Sequence, residues 1–177
     1  MRKAVLLALA AAAAFGQAKP DPYEGLWQGY DGEWVHVSRQ LVELADAIPP
    51  DKYGWRPGPG VRSVSEVVMH IAIANFGLLA VTGVKPPADW KPDLEKRVTS
   101  KPEVIAWLKR SLEVVKTAHL KVTPADLARK VKNGDRDATV EGMYLRIIVH
   151  ANEHMGQLVA YARMNGIVPP WSAGAGD

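Results

Sequence analysis

The chain has 177 residues and no cysteine, which excludes disulfides, thiolate metal ligands and a cysteine nucleophile. Its 22 Lys and Arg against 19 Asp and Glu give a formal charge of +3, spread without a basic stripe, so the composition argues against a nucleic-acid partner. The length suits one domain that can bury a working core unaided.

Met1-Arg2-Lys3, the apolar run Ala4 to Phe15 and the small-residue site Gly16-Gln17-Ala18 have the three parts of a secretory signal peptide. The apolar run is shorter than the roughly 20 residues of a membrane span. Residues 1–18 are therefore expected to be removed, leaving a domain over 19–177 that is periplasmic or secreted and without a membrane anchor. Arg2 and Lys3 leave with the signal, so Lys and Arg then outnumber Asp and Glu by only one.

Tyr30, Trp34, Val37, Leu41, Leu44 and Ile48 follow one another at steps of four and three, one apolar stripe of a helix near 30–48 that stops before Pro49-Pro50. His36 shares a stripe with Gln40 and Glu43 and is expected to be solvated. Asp51 to Arg62 is a loop rich in Pro and Gly. Ser63-Val64-Ser65-Glu66 then spells a capping box that opens a second helix near 63–82, with Val67, His70, Ile71, Ala74, Leu78 and Val81 facing inward and Gly83 ending it. A Pro-rich connection runs from Val84 to Thr99. Ser100-Lys101-Pro102-Glu103 is a second capping-box pattern, before a helix near 101–120 that buries Val104, Leu108, Leu112 and Val115. His119 falls in its last turn, where the helix dipole favours a cation. Thr123-Pro124-Ala125-Asp126 suits a short extra turn, and Lys130 to Asp137 reads as polar loop. The last helix is predicted near 140–165, stopped by Gly166 with Pro169-Pro170 beyond. No segment alternates convincingly as a strand, so the expected fold is an all-α four-helix bundle.

His150 and His154 stand four apart on the stripe Met143, Ile147, His150, His154, Leu158 and Tyr161, so one face of the last helix offers two imidazoles to one metal ion. A third ligand must come from elsewhere. His70 is the candidate, because it too sits mid-helix on an apolar face and reaches the same depth of a bundle, where a polar group needs a partner. A core histidine bonded to a carbonyl or side-chain acceptor is the competing account of each. His150-Ala151-Asn152-Glu153-His154 also spells H-x-x-E-H, the inverted zinc-peptidase pattern. Such peptidases draw another ligand from well downstream, and only Met155 to Asp177 follows here, so any third ligand lies upstream.

Two ordered motifs carry a resemblance. Trp55-Arg56-Pro57 with Arg62-Ser63-Val64 leading to His70-Ile71 is the first. His150, Glu153, His154, Gly156 and Gln157, followed by Arg163, Gly166 and Pro169-Pro170, are the second. Over about Tyr23 to Ser172 the chain resembles the DinB-like (YfiT-like) family of metal-dependent enzymes. That resemblance implies a four-helix bundle holding one divalent ion on His70, His150 and His154, with Zn the first choice and Ni, Fe or Mn as alternatives, and a homodimer. It also implies chemistry such as the transfer of low-molecular-weight thiols to electrophiles, or thiol-dependent isomerisation. The export signal departs from that pattern, because such thiols are cytoplasmic reductants, and hydrolysis suits the compartment better.

Three neutral imidazoles leave a position open, the arrangement of catalytic rather than structural zinc, at which water becomes reactive near neutral pH. Glu153 points about 100° away from His154 around a helix and is expected to form an ion pair or to support a ligating histidine. Asn75, Tyr144 and Tyr161 are candidate pocket residues, and Trp55 and Trp171 wall an entrance or cover the bundle ends. Catalytic residues are not assigned. The functional expectation is an exported metal-dependent hydrolase or transferase; the alternative is a non-catalytic bundle that binds metal or a small ligand.

Overall fold

The computed structural model describes residues 29–173, so the expected signal segment and its cleavage point lie outside the described residues. In chain order the elements are α1 (Tyr30–Ala47), α2 (Val64–Val81), the short α3 (Leu94–Arg97), α4 (Lys101–His119), the short α5 (Pro124–Leu127), strands β1 (Lys130–Asn133) and β2 (Arg136–Thr139), and α6 (Val140–Met164). The four long helices form a bundle. α2 packs against both α4 and α6, and α1 packs against the same two, so α1 and α2 stand on opposite corners. Consecutive helices on a diagonal need a long link, and the Pro- and Gly-rich loop after α1 supplies it.

The stripe predicted for α1 is the one buried: Trp34, Val37, Leu41 and Leu44, with Ile48 just past its end, are all inside. Each such side chain contributes on the order of 1.5–3 kcal/mol by leaving water. The indole of Trp34 also donates to the carbonyl of Leu112 at 3.1 Å, tying α1 to α4. Burial spreads beyond the stripe because α1 is covered by two helices. His36 is accordingly half-buried rather than solvated, with a buried Nδ1 that lacks a hydrogen-bond partner among the described residues.

α2 opens on the predicted capping box: the Glu66 amide donates to Ser63 Oγ at 3.3 Å and the Ser63 amide donates to Glu66 Oε2 at 2.7 Å. Its inward face is wider than the sequence stripe. Val68, Met69, Ala72, Ile73, Phe76 and Leu79 are buried, whereas Ala74, Leu78 and Val81 are only half so. A helix of mean hydropathy 1.8 has no polar face to fix its phase, and its contacts with two long helices and α3 decide it instead.

Two further expectations change. The box at Ser100 does not close, since Ser100 caps no amide. Lys101 instead turns its Nζ to the carbonyls of Asp46 and Ile48, at 2.6 and 2.9 Å, and satisfies orphan acceptors at the end of α1. The second change is at Lys130 to Asp137, read from sequence as loop. It lies in an antiparallel hairpin that pairs Lys130 with Thr139 and Asn133 with Arg136. Gly134, at φ 61°, takes the first position of the two-residue turn, where a left-handed backbone is required. The signal was the Gly-Asp pair between short runs, masked by the scarcity of apolar residues. The turn expected at Thr123 forms as α5, with both halves of its capping box present.

Candidate metal centre

α2 and α6 are neighbours, and their facing sides bring together the three histidines singled out from sequence. One ring nitrogen from each of His70, His150 and His154 lies within 4.8 Å of the others. The ring centroids are 4.6 to 5.0 Å apart, and His70 Nε2 lies 3.2 Å from His150 Nε2.

The outer nitrogens are held from behind. His70 Nδ1 donates to Glu95 Oε2 at 2.7 Å, and Glu95 Oε1 accepts from Arg62 Nε at 2.6 Å. Burial works against ionisation of Glu95, but the bonds from Arg62 and His70 outweigh it and hold the carboxyl below its ordinary range. His154 Nδ1 donates to Gln157 Oε1 at 2.9 Å. The Gln157 amide then donates to the Tyr161 hydroxyl at 2.8 Å, which in turn donates to the carbonyl of Arg62 at 3.1 Å. With both Nδ1 protons committed, Nε2 of His70 and of His154 is left as the unprotonated nitrogen.

His150 is the most enclosed of the three, 8% exposed, and its Nδ1 is buried without a partner among the described residues. Burial first, then the proximity of His154 and His70, pushes it down to about 4. His154 is also lowered, mainly by burial. A metal ligand must be neutral, and this environment keeps both imidazoles so at neutral pH. The spacing also suits an ion: tetrahedral Zn–N bonds of ~2.0–2.1 Å separate neighbouring nitrogens by about 3.3 Å. Without an ion, the 3.2 Å contact is a hydrogen bond that His150 Nε2–H can donate to His70 Nε2; a cation would take the place of that proton. The three-histidine cluster is thus compatible with a divalent metal.

The other candidates lie outside this cluster. Glu153 is committed to Arg146, at 3.0 and 3.2 Å, the ion pair expected of it. His119 donates to Asp31 at 2.7 Å and packs on Tyr30 and Tyr144, so a carboxylate as well as the end of α4 explains it. Asn75 is buried and donates to Ser111 at 3.1 Å, within the α2–α4 contact. Trp55 packs edge-on against Tyr161, with centroids 5.3 Å apart, and so backs the site; Trp171 is 36% exposed. Of the polar groups that hold the site, sequence reasoning missed Glu95 and named Arg62 only as part of a motif, without a role. Gln157 was legible, three residues beyond His154 on the same face. Glu95 sits in the connection after α2, where periodicity carries no information.

The DinB superfamily model matches residues 33–158. No curated protein matches the chain. Among solved structures, a DinB-like protein from Bacillus cereus superposes with a TM-score of 0.72 at 21% identity, over 81% of this chain and 95% of that one. A DinB-like protein from Bacillus subtilis gives 0.62 at 21% identity, over 77% and 91%. YfiT from Bacillus subtilis, described as a probable metal-dependent hydrolase with an unusual four-helix bundle topology, gives 0.64 at 14% identity, over 79% and 87%. At these identities the likeness speaks for the fold, and the family match over most of the chain speaks for descent. This chain belongs to the DinB superfamily.

Proposed function

We propose that His70, His150 and His154 hold one divalent ion, zinc by preference, and that the protein is an exported metal-dependent hydrolase. One observation carries the reading: three imidazoles from facing helices converge while Glu95 and Gln157 occupy two of the outer nitrogens. A core histidine needs one partner, whereas here a ring nitrogen of each of three imidazoles lies within 4.8 Å of the others. The description of YfiT as a probable metal-dependent hydrolase supports the same class, and the three-part N-terminus supports export over thiol transfer.

The chain's own groups have separable parts. Arg62 holds Glu95 ionised, and Glu95 fixes the ring plane and tautomer of His70. Gln157, steadied by Tyr161, does the same for His154. Enclosure favours the neutral form of His150. A divalent ion there supplies Lewis acidity toward water and toward a carbonyl or phosphoryl oxygen. One feature favours binding without catalysis: the acids nearest the centre are committed, Glu95 to Arg62 and His70 and Glu153 to Arg146.

The test is elemental analysis of the purified protein with a parallel screen against activated esters, phosphoesters and amides. Near-stoichiometric metal, lost in His70→Ala, His150→Ala and His154→Ala, together with chelator-sensitive hydrolysis, is expected. Stoichiometric metal without turnover on any of these supports the binding bundle. Protein inert to added Zn, Ni, Mn and Fe(II) would sink both.

A further inference from the structure

The groups that steady the histidines also wall a cleft. A cavity of about 590 Å³ is lined by Arg56, Arg62, Lys96, Glu66, Glu95 and Gln157, among others. Glu95 and Gln157 each bond a histidine of the centre, so the cleft and the centre share a wall. Its cations outnumber its carboxylates three to two.

These cations are not equally committed. Arg56 donates to the Val61 carbonyl at 2.9 Å and lies 3.1 Å from Glu66, so it is spent on its own loop. Arg62 uses only Nε, on Glu95, and its two terminal nitrogens have no partner among the described residues. Lys96 is exposed and forms no ion pair among the described residues. Glu95 therefore fixes the guanidinium of Arg62 by one edge and leaves the Nη1/Nη2 fork free, the donor pair that accepts a carboxylate or phosphate through two parallel bonds. The Arg62 carbonyl accepts from the Tyr161 hydroxyl that also takes the Gln157 amide, so Arg62 touches the supports of both His70 and His154 and lies beside the centre.

Resting on the metal reading above, we infer that this cleft is the recognition site for an anionic group of the substrate, with the Arg62 fork as its principal contact and Lys96 as a second charge. The substrate class is then a small molecule that carries a carboxylate or phosphate a few bonds from the group held at the three histidines. A divalent ion on three neutral imidazoles would add two positive charges next door, so the same field would favour an anionic substrate over a neutral one and repel a cationic one. Arg62 acts here through substrate; its hold on Glu95 is a separate, positioning role.

The experiment separates the two roles with ligands that share one metal anchor. Succinic and glutaric monohydroxamates, each ending in a carboxylate, are compared with their terminal amides by calorimetry on the zinc-loaded protein. The hydroxamate reports the metal and the ratio of the two dissociation constants reports the cleft, so any loosening of the centre cancels. A preference of about tenfold for the acid is expected at low salt for at least one chain length, as a charge-assisted bond implies. It should fall toward unity in Arg62→Ala and fall, to a smaller degree, in Lys96→Glu, an exposed site where folding is not at stake. Equal binding of acid and amide by the unaltered protein at both lengths overturns the inference while leaving the metal site standing. So does a preference that survives both substitutions. Zinc-loaded protein that binds neither hydroxamate overturns this inference, and a protein that takes up none of Zn, Ni, Mn and Fe(II) overturns the metal reading and this one with it.

Discussion

Glu95→Gln tests whether the carboxylate behind His70 belongs to the metal centre or merely to the surface. The substitution keeps the side chain's shape but removes its charge. Two short charge-assisted bonds are affected, 2.7 Å from His70 Nδ1 and 2.6 Å from Arg62 Nε. The amide can still accept from one of them, but more weakly, and it no longer raises the basicity of the imidazole. Groups placed like this typically alter metal affinity by about 10–100-fold, or roughly 1.4–2.7 kcal/mol. Glu95→Ala, which also frees the ring to rotate, should lie at or beyond the upper end. Competition for zinc against a chromophoric chelator at neutral pH measures the effect directly. Zinc affinity in Glu95→Gln equal to that of the unaltered protein would refute the reasoning and reduce the Arg62–Glu95–His70 chain to a half-exposed ion pair.

The remaining predictions concern pH, a control histidine and the N-terminus. His150 is pushed down to about 4 in the fold against an ordinary value near 6.5, so the unfolded chain takes up its proton first as pH falls. Metal-free protein is therefore most stable above about pH 6.5 as far as this group goes, and as pH falls toward 4 it loses on the order of 2–3 kcal/mol. Urea unfolding at both pH values, with His150→Gln as reference, isolates that contribution; parallel curves for the two proteins would contradict it. The same lowering at His150 and His154 weakens proton competition, so zinc should be retained below pH 6.5 rather than released there. Dialysis at stepped pH followed by elemental analysis checks this. His119→Ala should lower the melting temperature, through loss of the Asp31 bond and the Tyr30 and Tyr144 contacts, with zinc stoichiometry intact. The intact mass of protein recovered from outside the cytoplasm should begin at Lys19; full-length chain found only in cytoplasm would contradict export.

What was legible in the sequence is what repeats. The stripes of α1, α4 and α6 recur at helical spacing, and the structure buries Trp34, Leu41, Leu108, Ile147 and Leu158 along them. His150 and His154 were visible for the same reason, and His70 as a polar residue inside an apolar run. α2 was legible as a helix but not in phase, because apolar residues on every side give no contrast. The hairpin at 130–139 was missed because it buries little. A strand pair with exposed or half-exposed side chains has no alternation to read, only its turn. His36 was misjudged because polarity was equated with exposure, although half-burial on a helix covered from two sides is compatible with both.

The division of labour at the centre explains why Glu95 had to come from outside the pattern. A helix face fixes where side chains emerge, so α6 can set two imidazoles one turn apart and α2 can present a third across the interface. It does not fix which nitrogen of each ring carries the proton, nor the angle of the ring about its last bond. For His154 the helix itself solves the problem, since Gln157 lies on the same face one turn on. For His70 no residue of α2 bonds the outer nitrogen, and the partner arrives from α3, twenty-five residues further along the chain. α3 has only four residues and is held by packing on α2 and by Arg62, so its geometry depends on the loops at both its ends. On the metal reading, the helices would determine the ligand set, and the Pro-rich connection would determine how tightly that set binds. Changes within Val84 to Thr99 should shift metal affinity while the bundle and its three histidines stay in place.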